Sequence, residues 1–139
     1  MVSNYDENNQ EAVIKLGKEV NKNFANLFNV KKLPDNERIF VYKEDDQVLG
    51  FLHILTNIDV IEILNLIVDS KRQGEGIASI LLDYLLSSQE LNVSKIILEV
   101  RESNIPAINL YKKFNFLIIN IRENYYRDEN ALVMERDLT

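Results

Sequence analysis

The sequence has no cysteine, and other residues that support common chemistries are scarce. Without cysteine the chain cannot form disulfide bonds, thiolate metal sites or a thiol nucleophile. A single histidine, His53, excludes a zinc site built from several histidines and leaves little histidine-based acid–base chemistry. No apolar run approaches the roughly 20 residues of a membrane-spanning helix, and the polar N-terminus lacks the pattern of a signal peptide. We therefore expect a cytoplasmic protein without a metal site.

What the chain does contain is typical of a folded domain. Apolar residues make up 46% of the 139 residues and charged residues 27%, so we predict a single domain over residues 1–139. Sixteen basic and 22 acidic side chains give a net charge of −6, which disfavours nucleic acid as a partner. The acidity is compatible with a cationic partner such as an amine, although solubility alone also explains it. The sequence leaves open whether the protein is a monomer or a homodimer.

Hydrophobic periodicity predicts an α/β fold of the α+β type around one mixed central sheet. Apolar residues three or four apart predict an amphipathic helix over residues 10–28, and two further helices begin near residues 77 and 106. The apolar face of the third helix is expected at Ala107, Leu110 and Phe114. Apolar runs predict strands at 2–5, 38–43, 48–55, 59–68, 95–100, 116–121 and 131–135. The fold therefore has about seven strands and about three to four flanking helices. His53 lies in one of the predicted strands and is interpreted as a packing residue without a partner.

A glycine-containing loop, residues 68–79, joins a predicted strand to the start of a helix. Gly74 and Gly76 allow a tight turn and a close approach of the backbone to a ligand. The helix that follows offers unpaired N–H groups and the positive end of its dipole, which together suit a phosphate or pyrophosphate. Lys71 and Arg72 are expected to strengthen this attraction.

Several interpretations compete for this loop. A P-loop is excluded because no Gly-Lys-Ser/Thr follows the glycines. A dinucleotide fingerprint is a nearer match, with Gly74, Gly76 and Ser79 in the glycine positions and Glu99 about 20 residues further on. No repeating strand–helix–strand units follow, so dinucleotide binding is disfavoured. The loop alone is also compatible with an ordinary tight turn.

Three further segments resemble one family. They are LEVRESN at 98–104, NLYKKFNF at 109–116 and RENYY at 122–126. In this order and spacing they resemble the GNAT N-acetyltransferases, and more narrowly the RimI-type branch, the bacterial ribosomal-protein-alanine N-acetyltransferases. Residues 73–78 match the family's acetyl-CoA motif, Gln/Arg-x-x-Gly-x-Gly/Ala. The resemblance is close over residues 62–126, whereas the first 60 residues, part of the region that shapes the acceptor pocket, carry little of the pattern.

The resemblance implies acetyl-CoA as the co-substrate and a set of residues that hold it. The backbone of Leu66, Ile67 and Val68 would contact the pantetheine arm and the acetyl carbonyl. The pyrophosphate would be held by Gly74, Glu75, Gly76, Ile77, Ala78 and Ser79, and Gln73 of the same motif would also bind the cofactor. Asn104 would contact the cofactor from the start of the third helix. A segment near the acceptor peptide is matched by Asn124, Tyr125 and Tyr126, and simple strand-end packing also explains the two tyrosines.

The resemblance also assigns Glu99 as general base and Tyr111 as general acid. The residue types suit these roles, since an α-amine with an ordinary pKa of about 7.7–8.0 needs only a carboxylate to take its proton, and a phenol can protonate a departing thiolate. Alternation with Leu98 and Val100 puts Glu99 on the opposite strand face. Without the family pattern, a surface pair between Glu99 and Arg101 and a half-buried Tyr111 with its hydroxyl in water are simpler explanations.

Together these features predict an acetyl-CoA-dependent N-acetyltransferase that transfers the acetyl group directly to an amine. An acyl-enzyme on a thiol is excluded because the chain has no cysteine. The expected acceptor is the N-terminal α-amine of alanine on a ribosomal protein. The alternatives are a GNAT enzyme that acetylates a small amine or a lysine side chain, and a non-catalytic acyl-CoA-binding module.

Overall fold

The computed structural model describes residues 1–88 and 92–139, which form seven strands and four α-helices. The strands are β1 (Val2–Asn4), β2 (Glu37–Glu44), β3 (Gln47–Asn57), β4 (Val60–Val68), β5 (Lys95–Arg101), β6 (Leu117–Arg122) and β7 (Ala131–Asp137). The helices are α1 (Gln10–Val20), α2 (Phe24–Leu27), α3 (Ile77–Ser88) and α4 (Ile105–Lys113). All seven predicted strands are present, with ends that move by one or two residues.

The seven strands form one mixed sheet in the order β1-β2-β3-β4-β5-β7-β6. Strands β4 and β5 run parallel, in a register from Val60↔Lys95 to Ile63↔Leu98, and β4 continues to Val68. The pairs β1–β2, β2–β3, β5–β7 and β6–β7 are antiparallel. The predicted fold class is therefore confirmed. None of the helices in the two described ranges is long and apolar enough to cross a membrane.

Internal contacts divide the chain into two compact units. The first unit contains Met1–Leu55 and the chain from Leu64 through α3, and the second contains Thr56–Ile63 and the chain from Asn92 onward. Strand β4 contributes to both units. That residues 1–139 make up a single domain stays a prediction.

The core of the first unit lies between α1, α2 and one face of β2 and β3. It consists of Val13, Leu16, Phe24, Val30, Ile39, Val41, Val48, Phe51 and Ile67. On β2, Ile39 and Val41 point into this cluster, whereas Phe40 points to the other face, where its ring centroid lies 5.2 Å from that of Tyr84 on α3. Both faces of β2 are thus covered, and each large side chain buried there contributes about 1.5–3 kcal/mol.

The helix predicted over residues 10–28 is wrong in its second half. Helix α1 ends at Val20, and Asn21 is extended, with φ of −145°. The Asn21 side chain accepts a hydrogen bond from the N–H of Asn23 at 2.9 Å, a local bond that competes with continuation of the helix. The break lets Phe24 turn into the core, while Val20 is 69% exposed. The helical pattern did not reveal the break because apolar residues continue at the same spacing on both sides of it.

Gly17, in the middle of α1, makes room for the Phe24 ring. A Cβ added at Gly17 would overlap the ring atoms of Phe24. We expect Gly17→Ala to lower the free energy of unfolding by about 1–3 kcal/mol through overpacking, although alanine has the higher helix propensity by about 1 kcal/mol. Urea denaturation measures the change, with Lys18→Ala at the adjacent exposed position as control. A Gly17→Ala protein at least as stable as wild type would contradict this packing.

The second unit has its core on one face of β5 and β7. Its buried apolar residues are Ile61, Ile63, Val93, Ile96, Leu98, Val100, Ile108, Tyr111, Phe116, Ala131, Leu132 and Met134. Two of these, Ile108 and Tyr111, come from α4, whose C-terminal end is fixed because Nη1 of Arg136 on β7 donates to the Phe114 carbonyl at 2.6 Å.

The predicted apolar face of α4 is wrong by one residue. The buried side chains are Ile108 and Tyr111, whereas Ala107, Leu110 and Phe114 are only partly buried. Apolar residues cover most of the circumference of this short helix, so spacing alone does not select the inward face.

Strand β6 forms an exposed edge of the sheet. Its one strand neighbour is β7, and all six of its residues are exposed. They include Leu117, Ile118, Ile119 and Ile121, which are 43–69% exposed. The register with β7 shifts between Ile118 and Asn120, which marks a bulge. The apolar sequence of β6 predicted a strand correctly, but it gave no indication of this exposure.

Candidate active site

The glycine loop lies in the first unit, between β4 and α3, and its backbone donors are free. Gly74 and Gly76 have φ of 83° and 87°, a region that favours glycine. No heavy atom lies within 4 Å of a Cβ added at either position. Within the described chain, no intramolecular acceptor is recorded for the backbone N–H groups from Gly74 to Ser79, whereas the Ile80 N–H donates to the Gly76 carbonyl. This run of donors at a helix N-terminus suits an anion such as a pyrophosphate.

The backbone, rather than the Arg72 side chain, gives this loop its capacity to bind an anion. The Arg72 guanidinium donates from Nε to both Glu75 oxygens at 2.9 and 2.8 Å and from Nη2 to Glu44 at 2.9 Å. These bonds raise the pKa of Arg72 and lower those of Glu75 and Glu44. The charge of Arg72 is already compensated, so the expected attraction of phosphate by this side chain is not supported.

The end of β4 leads directly into the loop. Ile67 is buried, and Gly50 on β3 lies against it, since a Cβ at Gly50 would be 3.1 Å from the Ile67 carbonyl oxygen and 3.1 Å from the Ile77 side chain. The N–H of Asp69 donates to a β3 carbonyl at 2.8 Å. The backbone of residues 66–68 is therefore held next to the loop, and its contact with the pantetheine arm stays a prediction.

Glu99 lies on β5 in the second unit, with its side chain on the face opposite to Leu98 and Val100. Those neighbours are 2% and 7% exposed, whereas the Glu99 side chain is 24% exposed. Glu99 Oε1 accepts a hydrogen bond from Nη1 of Arg122 at the end of β6. The predicted face is confirmed. The alternative surface pair with Arg101 is wrong, because Arg101 binds acidic residues of the β6–β7 connection instead.

A second carboxylate, Glu62 on β4, accompanies Glu99, and the sequence pattern does not single it out. The parallel register pairs Glu62 with Ile97, which shares a strand face with Glu99 two residues further on. Burial raises the pKa of Glu62, the charge of Glu99 raises it further, and the charge of Arg122 opposes both. The one available signal was an acidic residue interrupting an apolar strand. Two carboxylates and one guanidinium can attract an ammonium group and accept its proton.

Tyr111 is buried on α4 and packs against Phe116. The residue is 7% exposed, and its ring lies 5.6 Å from that of Phe116. In the described part of the chain no hydrogen-bond partner is recorded for the hydroxyl. Burial raises the pKa of Tyr111, so the phenol keeps its proton at neutral pH. The half-exposed alternative is wrong. The role of Tyr111 as general acid stays a prediction.

Tyr111→Phe separates a structural from a catalytic role. Removal of an unpaired hydroxyl should leave the free energy of unfolding unchanged or raise it by about 1 kcal/mol. If Tyr111 is the general acid, turnover should fall by about 10²-fold. Steady-state kinetics and thermal unfolding measure the two effects, with Tyr84→Phe on α3 as the matched control. Wild-type turnover in Tyr111→Phe would remove Tyr111 from the mechanism.

Asn104 has a structural role that the sequence analysis did not consider. Its side-chain oxygen accepts a hydrogen bond from the Ala107 N–H at 3.3 Å and caps α4. Its contact with the cofactor remains a prediction.

The segment 124–126 is held by two arginine–tyrosine contacts. The Cζ of Arg122 lies 4.5 Å from the Tyr125 ring centroid, and that of Arg101 lies 4.2 Å from the Tyr126 ring centroid. The two tyrosine rings meet edge to face at 5.1 Å. Asn124 takes a left-handed conformation, with φ of 54°, which turns the chain here. Tyr125 is 49% exposed, and the contact of this segment with an acceptor stays a prediction.

His53 has partners, contrary to expectation. It is fully buried; its Nε2 lies 2.6 Å from Oε1 of Glu37, and its Nδ1 lies 3.1 Å from Nδ2 of Asn65. Burial lowers the pKa of His53, and the hydrogen bond to Glu37 opposes that effect. A neutral ring that donates to Glu37 and accepts from Asn65 satisfies both nitrogens. His53 is a packing residue, as predicted, but one fixed by a polar network.

The predicted site residues are divided between the two units. The end of β4 and the glycine loop belong to the first unit, whereas Glu99, Asn104, Tyr111 and the segment 124–126 belong to the second. Among residues 1–88 and 92–139, no group of three or more acidic or histidine side chains is arranged to hold a metal ion.

Comparisons with known proteins identify the family. Residues 5–116 match the model of the acetyltransferase (GNAT) family. A [ribosomal protein bS18]-alanine N-acetyltransferase from Haemophilus ducreyi is 38% identical over 99 residues, which cover 67% of this chain and 68% of that protein. An N-alpha-acetyltransferase from Saccharolobus solfataricus is 39% identical over 79 residues, covering 55% and 47% of the two chains.

A solved structure supports the same relationship. The ribosomal-protein-S18-alanine N-acetyltransferase from Escherichia coli superposes with a TM-score of 0.86 at 25% identity, and the match covers 100% of this chain and 94% of that one. The fold, the free backbone donors of the loop and the matched family model agree. The chain therefore belongs to the GNAT family and is an N-acetyltransferase that uses acetyl-CoA.

Proposed function

We propose that this enzyme acetylates the N-terminal α-amine of a protein, with an N-terminal alanine on a ribosomal protein as the preferred acceptor. The observation that carries the proposal is the partly exposed Glu99 carboxylate beside Glu62 on neighbouring strands of the second unit. The bS18-alanine N-acetyltransferases among the relatives favour an alanine N-terminus over other amines. The cytoplasmic location expected from the sequence is retained as part of the proposal.

Each step of acetyl transfer is assigned to a particular group of the protein. Backbone N–H groups of residues 74–79 bind the pyrophosphate of acetyl-CoA, and the backbone of residues 66–68 binds its pantetheine arm and the acetyl carbonyl. Glu99 takes a proton from the acceptor ammonium, directly or through water, and the free amine then attacks the carbonyl carbon. The carbon–sulfur bond breaks as the amide forms, and Tyr111 gives its proton to the thiolate of coenzyme A. The nitrogen loses its second proton in the same step, and this proton restores Tyr111 through solvent.

Acetyl transfer to a peptide panel tests the acceptor. The panel contains peptides beginning with alanine, serine, glycine and methionine, an N-terminally blocked peptide with an internal lysine, and spermidine. We expect the alanine peptide to have the highest kcat/KM, with the acetyl group located on the α-amine by mass spectrometry. Preference for the blocked lysine peptide or for spermidine would overturn the proposed acceptor and favour the alternative class.

A further inference from the structure

Arg122 has no role in the acetyl transfer proposed above. It is the last residue of β6, paired with Ala131 on β7. Its Nη1 donates to Glu99 Oε1, and its guanidinium lies over the Tyr125 ring with Cζ 4.5 Å from the centroid. A guanidinium held between a carboxylate and an aromatic face has little freedom to reorient. Arg122 therefore fixes the direction of the Glu99 carboxylate.

The contact uses one oxygen of the carboxylate and leaves the other. Glu99 Oε1 is the acceptor for Arg122, and for Oε2 no partner is recorded within the described chain. The Glu99 side chain is 24% exposed, so water or an amine can reach part of it. The two oxygens thus have different environments, since one is bonded to a cation and the other is not.

Several acidic groups surround the Glu99–Arg122 pair. Glu62 faces Glu99 from β4, the phenol of Tyr126 faces it from the β6–β7 connection, and Glu135 shares its face on β7, while the Tyr125 ring lies against Arg122. Other nearby cations are already engaged: Lys95 with Glu135, and Arg101 with Asp128 and Glu129. In the described residues, Arg122 is the cation recorded in contact with Glu99.

We propose that Arg122 is a positioning residue for acetyl transfer, which binds Glu99 Oε1, supplies the positive charge beside this carboxylate and directs Oε2 toward the acceptor ammonium. The inference rests on the proposed role of Glu99 as proton acceptor. It assigns the proton to one atom: Oε2 gains it from the ammonium, while the bond from Arg122 to Oε1 persists.

The test compares the pH dependence of kcat/KM for an alanine peptide in wild type, Arg122→Gln and Arg122→Lys. Loss of an adjacent opposite charge raises a carboxyl pKa by about one unit or more. We therefore expect the acid limb of the Arg122→Gln profile to move up by about one pH unit, an extra tenfold loss at each pH on that limb. Arg122→Lys should keep the wild-type midpoint, because the charge remains, but lose part of kcat, because a single ammonium orients the carboxylate less well.

Arg101→Gln is the matched control, since Arg101 also pairs with carboxylates and lies over a tyrosine ring of the same segment. Its midpoint should equal that of wild type, and the KM for acetyl-CoA should be unchanged in all three variants. The peptide amine titrates identically in every reaction, so differences between variants report the enzyme. If Arg122→Gln keeps the wild-type midpoint, or shifts no more than Arg101→Gln, the inference is wrong.

The failure of this inference can be told apart from failure of the proposed function. If the wild-type enzyme acetylates no α-amine, both the proposed function and this inference are wrong. If the wild-type enzyme acetylates the alanine peptide but the acid-limb midpoint of Arg122→Gln equals that of wild type, only the inference is wrong. Should Arg122→Gln not fold, the Arg122→Lys protein still decides, because wild-type kcat and midpoint in that variant would exclude an orienting role.

Discussion

Glu99→Gln is expected to lower kcat by about 10²–10⁴-fold while leaving the Kd for acetyl-CoA unchanged, because an amide cannot accept the proton of the acceptor ammonium. The substitution keeps the shape of the side chain and an oxygen for Arg122 to bind. Glu99 lies in the second unit and the glycine loop in the first, so cofactor affinity and turnover should separate. Steady-state kinetics and calorimetric titration with acetyl-CoA measure the two quantities.

Glu102→Gln provides the control for Glu99→Gln. Glu102 lies three residues further along the chain, is exposed, and contacts the Asn130 side chain at 3.3 Å. Its replacement should leave kcat unchanged. If Glu99→Gln retains most of its activity, the double variant Glu62→Gln/Glu99→Gln shows whether Glu62 is the proton acceptor. Wild-type turnover in the double variant would exclude both carboxylates from the reaction.

Ser79→Asp is expected to weaken acetyl-CoA binding by about 10- to 1,000-fold without destabilising the protein. Ser79 is in the first turn of α3, where its backbone N–H is among the free donors. A carboxylate there repels a pyrophosphate by about 1–4 kcal/mol at a separation of about 4 Å. The same charge is favourable at a helix N-terminus, by about 0.3–1 kcal/mol, so the melting temperature should stay equal or rise.

The opposite signs of these two effects make Ser79→Asp informative. An ordinary destabilised variant would lose affinity and thermal stability together, whereas loss of affinity with retained stability indicates an anion at the helix N-terminus. Ser79→Ala is the neutral control and should bind acetyl-CoA within a few-fold of wild type. Unchanged affinity in Ser79→Asp would mean that the pyrophosphate binds elsewhere.

The parts of the site that follow from local sequence could be predicted. A loop with two closely spaced glycines between a strand and a helix was predicted to turn tightly, and Gly74 and Gly76 adopt positive φ there. Alternation along β5 correctly placed Glu99 opposite Leu98 and Val100, because the side-chain period of a strand is two. In both cases a few neighbouring residues determine the geometry.

The parts that depend on distant residues could not be predicted in the same way. The Glu99–Arg122 pair joins positions 23 residues apart, and the nearer Arg101 was the more obvious partner from sequence. Glu62 comes close to Glu99 only through the parallel register of β4 and β5. The same holds for the break after Val20, which depends on how Phe24 packs over Gly17. Register and packing are tertiary properties, and periodicity within one segment does not report them.

The uncovered edge at β6 has a consequence for handling the protein in concentrated solution. An apolar strand with free backbone groups is a template for pairing with another chain, and natural proteins guard such strands with charged gatekeeper residues. The sequence of β6, LIINIR, offers one such residue, and it is Arg122. Arg122→Gln removes the charge that disfavours pairing of β6 with another chain. Aggregation of this variant should therefore be monitored by light scattering in dilute samples before its kinetics are compared.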